Sequence, residues 1–138
     1  KWNLVTQQTA EWNAEKAQQI VQSVIDSTKE FNVIYAENDD MAKGAVAALD
    51  KANISHGVGK DVVIMGFDCN KWALKELKEK NWNYDGQCNP FQAQYIDNVI
   101  KKLEAGKTLT EKTIILDEKG FDANEITDED IEKYGIGG

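Results

Sequence analysis

Arginine is absent from this chain of 138 residues, in which all sixteen basic residues are lysines. Planar two-pronged recognition of a phosphate or carboxylate therefore cannot come from it. A basic face is missing too, since the formal net charge is −8, which argues against a nucleic-acid footprint. No run approaches the roughly twenty apolar residues of a membrane-spanning helix. The two cysteines, Cys69 and Cys88, lack C-x-x-C pairing, which makes zinc and thioredoxin-like readings poor. No internal repeat or low-complexity linker interrupts the chain. It starts at Lys1 without a methionine and reads as a processed or excised piece, so a missing leader says nothing of where the parent lives.

What is present suffices for one domain with a hydrophobic core. The apolar period switches repeatedly between two and 3.6 residues. Leu4-Val5 reads as a short strand. Ala17, Ile20, Val21, Val24 and Ile25 mark one face of a helix from about Glu11 to Lys29. Val33 to Ala36 is a strand, followed by a helix on Met41, Ala45, Ala48 and Leu49. Val62 to Phe67 is the near-continuous apolar run of a parallel strand buried on both faces. A third helix carries Trp72, Leu74 and Leu77, with Asn70 as its N-cap. Asn81 to Cys88 is a weaker strand. Asn89-Pro90 signals the next helix start, Tyr95, Ile96, Val99, Ile100 and Leu103 form its face, and Gly106 stops it. Thr113 to Leu116 is a last strand. The acidic tail from Asp117 runs on the surface, with one short helix near Asp128 to Tyr134. This βαβαβαβαβ order predicts an α/β fold with a mostly parallel sheet covered by helices.

Twice a strand ends in a polar residue at the mouth of a helix, at Asn38 and at Asp68. In open α/β sheets, ligands bind beyond the carboxyl ends of the strands. Asn38-Asp39-Asp40 also suits a helix N-cap with acidic residues against the helix dipole, and Asp68 also suits a turn. Trp12 reads either as a packing residue or as a platform for the apolar face of a sugar ring. Gly106-Lys107-Thr108 fails as a phosphate loop, because Lys101 stands where a glycine is required and the triplet follows a helix. Ser55-His56 lacks an oriented third group, so no nucleophilic triad is argued. Asp117, Asp122, Asp128 and Asp130 lack calcium-loop spacing. Cys69 and Cys88 fall at the ends of adjacent strands. A bridge there would close a loop of about twenty residues, worth roughly 3 kcal/mol, with two free thiols the alternative.

The segments Ala36 to Ala45, Gly66-Phe67-Asp68 and Cys88-Asn89-Pro90 together resemble the carboxyl-terminal lobe of type I solute-binding proteins of sugar ABC transporters, near the ribose-binding and galactofuranose-binding branches. Gln7 to Asn13 is similar to the segment where that family places a ring-stacking aromatic. The resemblance implies a three-layer αβα, Rossmann-like lobe over residues 1–109, incomplete because the family's preceding βα unit is absent. Residues 110–138 then return toward the hinge and a missing amino-terminal lobe. It implies a ligand site of Trp12 (stacking), Asn38 (donating and accepting), Asp68 (accepting) and the position of Cys88, where the ribose branch has a glutamine. Gln87 is next to it, but strand alternation turns it to the other face. The resemblance also implies an extracytoplasmic protein, a monosaccharide ligand, an ABC permease as partner, and no catalysis, metal, cofactor or nucleic acid. The lost strand further predicts strand exchange or dimerisation. A second resemblance is to the effector-binding core of bacterial sugar-responsive transcription regulators. They typically carry a proline before the Gly-Phe-Asp strand and an acidic residue after it, where this chain has Gly59-Lys60-Asp61 and Cys69.

Overall fold

The computed structural model describes residues 1–137. Helix α1 (Ala14–Asp26) is followed by β1 (Val33–Tyr35), α2 (Asp39–Lys51), β2 (Val63–Phe67), α3 (Lys71–Lys78), β3 (Tyr84–Gly86), α4 (Ala93–Glu104), β4 (Gly120–Asp122) and α5 (Asp128–Tyr134). The sheet order is β1-β2-β3-β4. The first three strands are parallel, and β4 runs antiparallel to β3. This is the expected α/β architecture, a mostly parallel sheet flanked by helices.

One face of the sheet is buried. Ile64 is fully covered, as are Leu49 of α2 and Leu74 and Leu77 of α3. Met41, Ala45, Ala48 and Leu49 are all buried, as their helical spacing predicts. Burial alternates along β2, with Ile64 and Gly66 covered and Val63, Met65 and Phe67 half-buried. The expectation of burial on both faces is corrected accordingly. On the less covered face the rings of Tyr35 and Phe67 lie 5.2 Å apart, and Tyr84 lies 6.3 Å from Phe67.

Four further expectations are corrected. Leu4-Val5 forms no strand, and Leu4 is exposed beside no pairing partner. Thr113 to Leu116 forms none either, and Ile114 and Ile115 are exposed. That segment belongs to an excursion between β3 and β4 whose ends are pinned by Gln87 N–H on Lys119 O at 2.8 Å. Away from the sheet it has no ladder to join. Within the excursion α4 starts at Ala93, with Gln92 as N-cap. The Asn89 side chain instead accepts from Phe91 N–H at 2.8 Å, closing a turn that delays the helix. The apolar face of α4 is real, yet Tyr95, Ile96, Ile100 and Leu103 are exposed. The acidic tail, read as surface-running, contributes Phe121, Ala123 and Ile131 to the core. The short helix within it carries a capping box between Thr127 and Asp130. Both cysteines are free thiols.

Candidate functional site

Strand register brings two of the sequence-predicted residues level. Tyr35 is the partner of Met65, so Asn38 and Asp68 each lie three residues beyond a registered pair, past the carboxyl ends of neighbouring parallel strands. Asn38 caps α2, its side-chain oxygen accepting from Met41 N–H at 2.8 Å. The cap occupies that oxygen and leaves the amide Nδ2 uncommitted.

Asp68 is held in an unusual turn. Its φ is 118° and that of Cys69 is 60°, both in the left-handed region that a non-glycine residue enters only when surroundings impose it. Three contacts impose it here. Asp68 N–H donates to Gly86 O at 2.9 Å, and Ile136 N–H donates to Cys69 O at 2.9 Å. Beyond them Asn70 donates through its backbone N–H at 2.8 Å and its side-chain amide at 3.0 Å to Asp39 Oδ2. Partial burial and then the nearby charge of Asp40 raise the Asp68 pKa above the ordinary aspartate value. Burial, then the charges of Asp85 and Asp39, raise the Cys69 thiol well beyond its ordinary range, so it is an inert core group.

Trp12 stands just before Asn13, the N-cap of α1, whose side chain accepts from Lys16 N–H at 2.9 Å. Glu11 and Trp12 both have positive φ, 51° and 60°, and the indole is 65% exposed. Helix α1 lies close on α2 at Gly44, where a methyl group would stand 2.0 Å from Ala14 O. A hollow of about 1320 Å³ beside β1 is lined by Trp12, Tyr35, Glu37 and Met41 among others. It reaches the neighbour of Asn38, but Asn38, Asp68 and Cys88 do not line it. Cys88 is exposed, two residues past the end of β3.

The Ser55-His56 neighbourhood holds no nucleophile and base. His56 Nδ1 lies 2.8 Å from Asn81 O and Nε2 lies 3.1 Å from Asp50 Oδ1, while Ser55 Oγ donates to Asp61. Among the described residues, no group of ligating side chains suited to a metal ion occurs, and no helix is long and apolar enough to cross a membrane.

Two residues beneath the turn escaped the sequence reading. Asp39 and Asp85 are wholly buried. The available signal was Gly66, an interior strand glycine of the kind that marks close approach. A methyl group there would stand 2.7 Å from Asp39 Oδ1 and 2.8 Å from the Trp82 ring.

Residues 1–108 match the family described as periplasmic binding protein domain. This chain belongs to that family. It is 34% identical over 118 residues to the fructose import binding protein FruE of Bifidobacterium longum, covering 84% of this chain and 35% of that protein. It is similar to a Mycobacterium smegmatis protein solved in complex with β-D-fucofuranose, at 27% identity and a TM-score of 0.77, covering 89% of this chain and 40% of that one. A galactofuranose binding protein superposes with a TM-score of 0.83 over 96% of this chain and 45% of the other. At 22% identity that likeness is one of fold. The chain therefore spans less than half the length of these relatives.

Proposed function

We propose that this chain is the sugar-binding lobe of a longer extracytoplasmic solute-binding protein, which delivers a monosaccharide to an ABC permease without altering it. The observation that carries this reading is the level pair Asn38 and Asp68 beyond adjacent parallel strand ends, with the exposed Trp12 lining a hollow that reaches Glu37 beside Asn38. Asp68 accepts hydrogen bonds from one or two sugar hydroxyls. Asn38 donates through Nδ2, which makes no other hydrogen bond among the described residues, while its oxygen already accepts from Met41 N–H in the helix cap. Trp12 offers the flat apolar surface on which a ring stacks, and the neighbourhood of Cys88 supplies the fourth side.

Residues 1–109 form this lobe together with β4 and α5, which complete its sheet and core, and the segment from residue 110 to β4 faces a hinge and a second lobe. The exposed apolar residues of α4 and of the 113–116 segment suit cover by such a lobe. Closing two lobes around the ligand would favour the closed state by the ligand's differential affinity for it. The free edge of β1 suits an added strand, from the rest of a longer chain or by exchange with another copy.

Titration calorimetry of the longer protein against pentoses and hexoses tests the reading. One monosaccharide should bind, and Asp68→Ala should weaken it by at least about 1.5 kcal/mol, the low end for a hydrogen bond to a charged group. No binding across the panel, or unchanged affinity in the variant, contradicts it.

A further inference from the structure

Among the described residues, the buried face of the sheet holds two carboxyl groups and no cation. Asp39 opens α2, Asp85 lies in the middle of β3, and neither reaches solvent. Asp85 pairs in register with Gly66, the glycine over which Asp39 Oδ1 also packs. The two carboxyl groups thus lie beside the same strand glycine on the buried face, where each shifts the ionisation of the other.

Their polar atoms do not balance if both are ionised. Asp39 Oδ2 accepts twice from Asn70, but Asp39 Oδ1 and both oxygens of Asp85 have no partner in good hydrogen-bond geometry, although the backbone N–H and thiol of Cys69 lie near Asp85. The lysines and the histidine that form ion pairs among the described residues pair elsewhere. The charged or titratable groups facing the pair are Asp68 and Cys69 from the β2–α3 turn. Strand β4 presents Phe121 opposite Asp85. Two adjacent carboxylates buried without a counter-charge are strongly unfavourable, and one shared proton both removes a charge and supplies a donor for Asp39 Oδ1.

We propose that Asp85 keeps a proton at neutral pH and donates it to Asp39 Oδ1, making the pair the positioning device for the Asp68–Asn70 turn. The chain of contacts is short. Asp85 steadies Asp39, Asp39 grips Asn70 through both its nitrogens, and Asn70 fixes the two preceding residues in their left-handed conformation. Burial, reinforced by the charge of Asp39, raises the Asp85 pKa far above the ordinary aspartate value. Burial raises that of Asp39 as well, against the lowering effect of the Asn70 hydrogen bonds. The folded state then binds a proton that the unfolded state has released. Stability consequently falls as pH rises from the ordinary aspartate pKa toward the raised folded one. That the turn matters for ligand binding rests on the sugar-binding reading, whereas the shared proton does not.

Infrared spectroscopy of protein labelled with 13C at aspartate carboxyls tests the proposal, together with thermal melts across the neutral to alkaline range. The wild type should show a protonated carboxylic band at about pH 7, and Asp85→Asn should lose it. That variant keeps a donor for Asp39 Oδ1, so it should melt close to the wild type at neutral pH and lose the decline attributed to Asp85. Asp85→Leu, without a donor, should melt lower, and in the longer protein it should weaken sugar at least tenfold. A neutral-pH spectrum without the protonated band overturns the proposal, as does an Asp85→Asn variant no more stable than Asp85→Leu. A protonated band in a longer protein that binds no sugar overturns the functional reading and leaves the acid pair standing.

Discussion

At the scale of single residues, the polar groups near the strand ends serve the fold before they can serve a ligand. Asn38 closes the first turn of α2, so Asn38→Ala should lower stability by about 1 kcal/mol, the usual cost of losing such a cap. Chemical denaturation of this chain measures that, and a variant as stable as the wild type would deny the cap its role. Asp68 is the reverse case. Its φ of 118° suits glycine better than any side chain, and such conformations cost on the order of 1 kcal/mol or more. Asp68→Gly should therefore raise the melting temperature while abolishing ligand affinity in the longer protein. A fall in both would mean that the carboxylate serves the turn itself. Gly66 is constrained by neighbours rather than by φ. Gly66→Ala would drive a methyl group into Asp39 and Trp82 and should destabilise by about 1–3 kcal/mol, the cost of overpacking.

At the scale of elements, sequence legibility tracked packing. Helix α2 was readable because its apolar spacing is satisfied by the sheet beneath it, and Leu49 is fully buried there. The same holds for α3, where Leu74→Ala should cost about 2–5 kcal/mol by leaving a cavity, a loss that urea unfolding would register. Strands β2 and β3 were legible in the same way, and β1 was legible although none of its residues is fully buried. Helix α4 was legible as a helix but not in its surroundings, since periodicity reveals an apolar face and not what covers it. The segments Leu4-Val5 and Thr113 to Leu116 failed for a related reason. A strand exists only against a neighbour, and neither segment has one. Strand β4, Gly120-Phe121-Asp122, has little intrinsic strand signal and forms because β3 offers an antiparallel edge. Of the candidate site, Asn38 and Asp68 were visible as strand-end residues before helices. The Asp39–Asp85 pair was not, because one acid resembled a dipole partner at a helix start and the other stood in a weak strand.

At the scale of the whole molecule, the chain spans 35% of one import binding protein and 45% of one solved relative. If it is one lobe of two, as proposed, it should alone bind sugar weakly or not at all, because half the enclosure and the closing motion would come from the other lobe; submicromolar calorimetric affinity for this chain by itself would refute that. The most direct test of the central claim, that three separated side chains address one sugar, is a nitrogen-15 NMR titration of the longer protein. The monosaccharide selected by calorimetry is added while the Trp12 indole, the Asn38 side-chain amide and the Asp68 backbone signal are followed. All three should move along a single saturation curve. Signals that stay still at saturation, or that move with unrelated midpoints, would contradict a shared site.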